Sequence, residues 1–386
     1  MYADSRFTAS NRQGEEQKEI GYQRILSWFE SFLPREYDEW NSVSYLPVDF
    51  IGFFCLLQAA EDTEIIDYAE QCIDKTFNII AANLHNSVYS ASYGRTYEQA
   101  LKGIKTCEIS LYPWVMWGKG RVNLNSTAAA LITTSDYEAP NFSPLFDLSH
   151  NKSVTVERVQ GAQEVYTYIH KRKEYSLATT MNCSPFTKGL QQHVINVSFS
   201  EEEIPVWINH PGEAVYSGEN RPSYWAGNQR LPYVEQYKNV ILAGYKLDRS
   251  DIVQYIHAYI PLEELDQYII KDKWFIFSRL KSYGAIYFEN GFEVTRYGAN
   301  TNKELISYGC ENGIVIKCCS KRETGLFCEF VTKVIESTII YHSPENIIFD
   351  DFQHGRLEAD CAVGLTCNKK IVERNTGLEP TVSFDI

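Results

Sequence analysis

A first group of residues that can do chemistry lies at 39–49, where polar and aromatic side chains separate two apolar helical patterns. The Asn41 amide can donate a hydrogen bond to a carboxylate, and the Tyr45 phenol can exchange a proton. Trp40 offers an aromatic face on which a sugar ring can stack. The structural alternative for this segment is a helix N-cap and a turn.

A second group, at 92–97, places Arg95 between the phenols of Tyr93 and Tyr97. A fixed guanidinium beside a phenol lowers the pKa of that phenol towards a range useful for proton transfer. Gly94 permits a tight bend at this point. The alternative is an arginine that stacks on aromatic rings at the start of a helix.

Two histidines flank a predicted β-hairpin. His193 precedes a strand pattern at 194–199, and His210 follows Trp207, Ile208 and Asn209 in the next pattern. A hairpin would bring both histidines to the same edge of the sheet, where the pair can act as base, acid or metal ligand. A zinc site is not expected, because no cysteine is close and the spacing fits no standard zinc pattern. The alternative is a pair of hydrogen-bonded histidines at a sheet edge.

A fourth group, at 220–232, combines arginine, asparagine and aromatic residues between prolines. The side chains that we expect to contact a saccharide are Arg221, Tyr224, Trp225 and Asn228. Aromatic rings stack on sugar faces, while arginine and asparagine hold carboxylates or hydroxyls. The alternative is a long irregular connection that its own aromatic residues hold in place.

Composition excludes several classes of protein. Fifty acidic residues against 36 lysines and arginines give a net charge of −14, which argues against a nucleic-acid binder. No run of about 18 apolar residues occurs, so no membrane span is expected. The ten cysteines have no metal-binding spacing, and the N-terminus lacks the apolar region of a secretion signal. We therefore expect free thiols and a cytoplasmic protein.

Hydrophobic periodicity divides the chain into two parts and predicts an α+β fold. A helical domain is expected at 1–140, with helices at about 20–33, 48–60, 63–80, 98–118 and 126–133, where Thr63 caps the third helix. A large antiparallel β-sandwich is expected at 141–386, with one late helix at 325–337. The expected strands include 153–159, 194–199, 240–245, 252–259, 274–278, 284–288 and 313–318.

Several short motifs give the chain a resemblance to a known family. They are Asp4–Phe7, Asn11–Gly14, Glu39–Ser42, Gln192–Val194, Asn209–Gly212 and Tyr224–Asn228. Helical hairpins with polar loops before an antiparallel sandwich resemble the heparinase II/III-like polysaccharide lyases, over most of residues 1–250. The resemblance implies that the helical domain is a partial (α/α) toroid that lacks its N-terminal half.

The resemblance also implies β-elimination on a uronate-containing polysaccharide or oligosaccharide. This reaction requires that the uronate carboxylate is neutralised, so that the C5 proton becomes acidic. We assign this role to Asn41, together with Arg221 or Arg95. The remaining substrate contacts are expected from Trp40, His210, Tyr224, Trp225 and Asn228.

Two proton transfers complete the elimination. His193 is assigned as the base that removes the C5 proton, and Tyr45 or Tyr93 as the acid that protonates the leaving oxygen. This chemistry requires no cofactor, and no metal is implied.

Two other functions remain open. A glycoside hydrolase would need two carboxylates about 5–10 Å apart. Glu39, Asp49 and Glu213 are the loop carboxylates that stand out, and their positions in space decide between the two enzymes. A non-catalytic carbohydrate-binding protein or structural remnant, inactive because half of the toroid is missing, would instead show an aromatic groove without converging histidine, tyrosine and asparagine residues.

Overall fold

The computed structural model describes residues 3–123, 126, 128–148, 152–217 and 219–385, and it has an α+β fold with several antiparallel sheets. The helices are α1 (Gly14–Arg35), α2 (Leu46–Ala59), α3 (Thr63–Asn83), α4 (Glu98–Lys102), α5 (Leu111–Trp117), α6 (Ala129–Thr134), α7 (Ser143–Phe146), α8 (Lys321–Thr324) and α9 (Phe327–Glu336). Short 3₁₀ turns cover Glu108–Ser110 and Leu262–Glu264.

The strands follow mostly after α7. They are β1 (Arg6–Phe7), β2 (Arg12–Gln13), β3 (Leu84–His85), β4 (Val88–Tyr89), β5 (Ser153–Gln160), β6 (Val165–Arg172), β7 (Tyr175–Met181), β8 (Ile195–Phe199), β9 (Ile204–Asn209), β10 (Tyr233–Tyr237), β11 (Val240–Lys246), β12 (Tyr255–Tyr259), β13 (Gln267–Lys271), β14 (Trp274–Arg279), β15 (Ser282–Phe288), β16 (Glu293–Val294), β17 (Glu304–Tyr308), β18 (Glu311–Ser320), β19 (Thr338–Ser343), β20 (Asn346–Asp351), β21 (Gly355–Asp360), β22 (Gly364–Cys367), β23 (Lys370–Ile371) and β24 (Thr381–Asp385).

The helical part differs from the prediction at several points. The expected helix at 98–118 is divided into α4, a 3₁₀ turn and α5, with Gly103 ending α4. Asp62, not Thr63, caps α3, because its carboxylate accepts the backbone N–H groups of the first turn. Helix α2 is apolar nearly all round, yet only one face is buried and Val48 is exposed.

Three large antiparallel sheets form the rest of the molecule. The nine-stranded sheet has the order β16-β17-β12-β9-β8-β7-β6-β5-β24, and the six-stranded sheet has the order β10-β11-β18-β15-β14-β13. The five-stranded sheet runs from β19 to β23 in sequence order. Tight hairpins join most neighbours, as the many short strand patterns predicted.

The sheets and helices are stacked in layers with a core between each pair. Side chains such as Val197 from the nine-stranded sheet and Ile316 from the six-stranded sheet share one buried core. The opposite face of the six-stranded sheet packs on Phe330 of α9 and on the five-stranded sheet. The opposite face of the nine-stranded sheet contributes Trp207 and Tyr259 to the core of the helical part.

In strand β8, alternate side chains point to opposite faces of the sheet, one towards the core between the sheets and the other towards the helices. Ile195, Val197 and Phe199 point into the core between the sheets. Asn196 and Ser198 point towards the helices, where they are buried and hydrogen-bonded to Ser90 and His85. Because these polar groups have hydrogen-bond partners, they can be buried, and the helices can cover this second face of the nine-stranded sheet. Every cysteine of the sequence is a free thiol.

Candidate functional site

The loops that contain Asn41 and Arg95 are held against each other. The Gly94 N–H donates to the Trp40 carbonyl at 2.8 Å, and the Asn41 amide donates to the Ser92 carbonyl at 3.1 Å. A Cβ atom on Gly94 would lie 2.7 Å from the Trp40 nitrogen, closer than side chains tolerate. The absence of a side chain at Gly94 therefore allows the two backbones to meet.

The His193 segment joins the same assembly. Tyr93 and His193 exchange two backbone hydrogen bonds of 2.8 Å each, so the helical part and the sheet are bonded at this point. From the fourth segment, the Asn228 amide donates to the Gln192 carbonyl at 2.9 Å. The segments that the sequence singled out are thus neighbours in the structure.

The His193 imidazole lies inside the protein. It is fully buried, and burial lowers its pKa to about 3. The Nε2 atom lies 3.4 Å from the Asn196 carboxamide oxygen, while Nδ1 has no hydrogen-bond partner among the residues that the structure describes. The ring lies between Tyr93 and Trp207, with centroid separations of 5.9 Å.

Asn41 and Tyr93 are also interior. Asn41 adopts a left-handed backbone conformation with φ 53°, which asparagine tolerates better than most residues, and its Oδ1 accepts from Asn83 at 3.4 Å. The Tyr93 hydroxyl accepts the Ala91 N–H at 3.2 Å. Burial raises the pKa of the Tyr93 phenol.

This burial changes what these residues can do. The assigned roles of His193 as base, Asn41 as carboxylate donor and Tyr93 as acid all require contact with a substrate. The structure instead binds the polar atoms of Asn41 and Tyr93 to neighbouring protein groups, and none of the three residues is more than 3% exposed. What the structure shows of them is contact between segments, through the Asn41 amide and through the backbone groups of Tyr93 and His193.

A pair of phenols lies at the surface of the same assembly. The hydroxyl oxygens of Tyr45 and Tyr97 are 3.3 Å apart, and both side chains are half-buried. The hydrogen bond from Tyr45, helped by Gln191 and by the positive charge of Arg95, lowers the pKa of Tyr97. The same hydrogen bond raises the pKa of Tyr45, because ionisation of Tyr45 would remove the donor. The two phenols are therefore polarised in opposite directions.

Two arginines lie over these rings. The Arg95 guanidinium is 5.1 Å from the centroid of the Tyr45 ring, and the Arg221 guanidinium is 5.1 Å from that of Tyr97. Arg95 also donates to Glu39 at 2.8 Å and to Gln191 at 3.2 Å. Positive charge is thus fixed on one face of each phenol.

Next to the phenol pair is an open cavity of about 380 Å³. Arg95 and Gln191 line this cavity and also contact or polarise the phenols, so they connect the two features. The other walls combine polar and apolar groups and consist of Asp38, Glu39, Trp40, Gly94, Gln160, Gly161, Ala162, Gln163, Val165, Leu190 and Gln192. A cavity of this size holds a small molecule or one or two sugar rings.

Tyr224 and Trp225, which were expected to stack on sugar, are instead buried in a separate cluster. The Tyr224 hydroxyl donates to Glu304 Oε1 at 2.7 Å, and His257 Nδ1 lies 2.7 Å from the same oxygen. The Trp225 ring is stacked on His257 with a centroid separation of 4.1 Å. These aromatic faces are occupied by protein groups, so the predicted sugar contact is not available there.

Asn228 and His210 are buried beside that cluster. Asn228 Oδ1 accepts the His210 N–H at 2.9 Å, and His210 Nε2 donates to the Val253 carbonyl at 2.9 Å. Burial lowers the pKa of His210 to about 4. Of the predicted substrate contacts, Arg95 and Trp40 line the cavity and Arg221 is exposed next to Tyr97.

The three candidate carboxylates have different surroundings. Glu39 is exposed and paired with Arg95. Asp49 is partly buried, and burial together with the charge of Glu39 raises its pKa to about 6. Glu213 is buried and accepts the Tyr224 N–H at 2.9 Å, so its carboxylate stabilises the loop between residues 213 and 224.

The Tyr45–Tyr97 pair is the feature that sequence reasoning missed. The sequence places Tyr97 beside Arg95 but gives no signal that it pairs with Tyr45, because the two tyrosines are 52 positions apart. Among the described residues, no group of three or more histidine, cysteine, aspartate or glutamate side chains is arranged to hold a metal ion. Within the same part of the chain, no helix is both long and apolar enough to cross a membrane.

No protein-family model and no curated protein matches the sequence.

Proposed function

We propose that this protein is a carbohydrate-active enzyme of the polysaccharide lyase type, which carries out β-elimination on a uronate-containing glycan beside the phenol pair. The observation that carries the proposal is the Tyr45–Tyr97 hydrogen bond with Arg95 and Arg221 over the two rings. A proton acceptor, a proton donor and two cations are the groups that the elimination needs.

In the proposed reaction, the Tyr97 phenolate removes the proton from C5 of the uronate. The electron pair left on C5 forms the C4–C5 double bond, and the C4–O bond to the leaving sugar breaks. Tyr45 donates its proton to that leaving oxygen. Lowering the pKa of Tyr97 increases the fraction of base, and raising that of Tyr45 keeps the acid protonated.

Arg221 and Arg95 are proposed to bind the uronate carboxylate. Arg221 has an exposed guanidinium over Tyr97, so a carboxylate bound there would place C5 near the base. Arg95 faces the cavity that would receive the sugar. Guanidinium groups bind carboxylates in a bidentate way and stabilise the charge that develops on elimination.

His193, Asn41 and Tyr93 are assigned to positioning in this proposal. The paired backbones of Tyr93 and His193 hold the loop that carries Arg95 and Tyr97 against the sheet. The expected partial toroid remains part of the proposal, supported by the order of helices before antiparallel sheets.

The test is incubation of the protein with a panel of uronate glycans, such as alginate, pectate and hyaluronan. Elimination creates a double bond conjugated to the carboxylate, which absorbs in the ultraviolet. A rise in absorbance supports the proposal. Binding of a glycan without any bond cleavage would replace it with a carbohydrate-binding function.

A glycoside hydrolase is the second candidate, and the pKa of Asp49 favours it. Burial and the charge of Glu39 raise the pKa of Asp49 to about 6, and a carboxyl group with a raised pKa is suited to act as the general acid of such enzymes. Hydrolysis would release reducing ends with no change in ultraviolet absorbance. Loss of that activity in Asp49→Asn, with Tyr97→Phe unaffected, would identify the hydrolase.

A further inference from the structure

A second cavity, of about 340 Å³, lies where turns of the sheets meet the end of the helical part. It is separate from the phenol pair and shares no lining residue with the first cavity. Its walls come from the turns that follow α5, α7, β3, β6, β8 and β14, and from α8.

The charge of this cavity is opposite to that of the protein. Six of its lining residues are basic: Lys119, Lys152, Arg172, Lys173, Lys281 and Arg322. Three are acidic, namely Asp147, Glu174 and Glu201, so the lining carries 6 − 3 = +3 formal charges. The whole chain carries −14. Cations that converge in a protein with excess negative charge create a local positive potential, and such a potential attracts anions.

Several of these cations have protein partners that fix them in place. Lys173 is paired with Glu201 at 2.8 Å, and Arg172 lies 3.9 Å from Glu323. Lys152 donates to the Pro144 carbonyl at 2.8 Å. These contacts fix the positions of the segments that line the cavity.

The other three cations remain available for a ligand. Lys119, Lys281 and Arg322 are exposed, and within the described part of the chain none of them forms an ion pair. They come from three separate elements, the α5 end, the β14–β15 turn and α8. Like charges repel one another, so an anion that binds among these three cations is attracted by all of them and relieves that repulsion.

We propose that this cavity binds a small oxyanion, either a phosphate group or a sulfate ester. The oxygens of such a group accept charge-assisted hydrogen bonds from lysine and arginine, and the volume suits one small molecule. The ligand would connect the helical part to two sheets, so its binding would also stabilise the fold.

Titration calorimetry with two probes tests the proposal and separates the two sources of anion. Inorganic pyrophosphate represents free phosphate compounds, and glucose 6-sulfate represents a sugar-borne sulfate. We expect saturable binding of one molecule per chain for at least one probe, and the tighter probe identifies the source. The absence of saturable binding for both probes would overturn the proposal.

Variants locate the binding. Lys281→Gln with Arg322→Gln should weaken binding roughly tenfold or more, because two charge-assisted hydrogen bonds are lost. The matched control is Arg24→Gln with Arg249→Gln, which removes the same charge from exposed positions outside the cavity. The single variant Lys119→Gln gives an independent measurement if the double variant is unstable. An equal loss in the control would mean a diffuse charge effect and no site.

Discussion

The hydroxyl oxygens of Tyr45 and Tyr97 lie 3.3 Å apart although the residues are 52 positions apart in the chain. Tyr45 stands just before α2, and Tyr97 stands just before α4. Each ring has an arginine over one face, so the pair combines shared hydrogen bonding with nearby positive charge. The shared hydrogen bond lowers the pKa of Tyr97 and raises that of Tyr45, which suits the two phenols to act as base and acid.

Removal of either phenol hydroxyl should slow the proposed elimination. Tyr97→Phe removes the base and Tyr45→Phe the acid, so each should lower kcat by roughly 10²–10⁴-fold. The measurement is the initial rate of the ultraviolet absorbance increase. Tyr22→Phe is the control, because its hydroxyl bonds to Glu64 on the helices away from the cavity. Full activity in Tyr97→Phe would exclude Tyr97 as the base.

The pH profile of kcat/KM should be bell-shaped. Activity rises as pH passes the lowered pKa of Tyr97, because the base must be ionised. It falls as pH passes the raised pKa of Tyr45, because the acid must be protonated. Arg95→Gln removes a charge that lowers the pKa of Tyr97, so the rising limb should move to higher pH. An unmoved rising limb in Arg95→Gln would contradict this assignment.

The ion pair between Lys317 and Asp351 should be important for stability. Both side chains are fully buried, with the Lys317 Nζ 2.9 Å from Asp351 Oδ1. Lys317→Met leaves a buried carboxylate without its cation, and we expect a loss of about 3–5 kcal/mol in the free energy of unfolding. Urea denaturation measures this loss.

The double variant Lys317→Met with Asp351→Asn tests the reason for that loss. The asparagine carbonyl can still accept the Gln353 and His354 N–H groups that Asp351 now binds, but it carries no charge. The double variant should therefore be more stable than Lys317→Met alone. Equal stability would mean that lost packing, and not the uncompensated charge, explains the effect.

The protein should lose stability between about pH 6.5 and pH 4. Burial lowers the pKa of His170 and His193 to about 3 and that of His85 to about 4. Below pH 6.5 the unfolded chain binds protons that the native protein does not, so stability is present above this pH and falls with acidification. Each histidine should contribute on the order of 1 kcal/mol per pH unit.

His170→Asn tests this origin at a position outside the candidate site. Denaturant unfolding at several pH values gives the slope of the unfolding free energy against pH. The variant should lose stability at neutral pH but have a slope smaller by about one proton. An unchanged slope would show that His170 does not account for acid sensitivity.

The strands around the candidate site followed from local patterns. The alternation Ile195, Val197 and Phe199 predicts the observed strand, and the hairpin does bring His193 and His210 to the same end of their strands. The late helix at 327–336 also matches its prediction. Such periodicity is local, because it depends on which side chains share one face of an element.

Other local predictions failed where similar patterns permit different structures. The sequence pattern at 98–118 resembles one helix, but the chain turns after Gly103 and α5 starts only at Leu111. The sequence signal did not distinguish Thr63 from its neighbour Asp62 as the cap of α3. Tertiary packing decides where a helix begins or ends, because the same apolar face can be buried with the helix end at either of two neighbouring positions.

The sequence by itself determined the α+β class, most elements and the segments rich in functional groups. Only the tertiary structure decided that Asn41 and His193 are interior and that Tyr45 meets Tyr97 beside a cavity. The physical reason is that burial and pairing depend on chain segments that are distant in sequence. A histidine or an asparagine has the same chemistry in a core and in a cleft, and the covering segments determine whether a substrate can reach it.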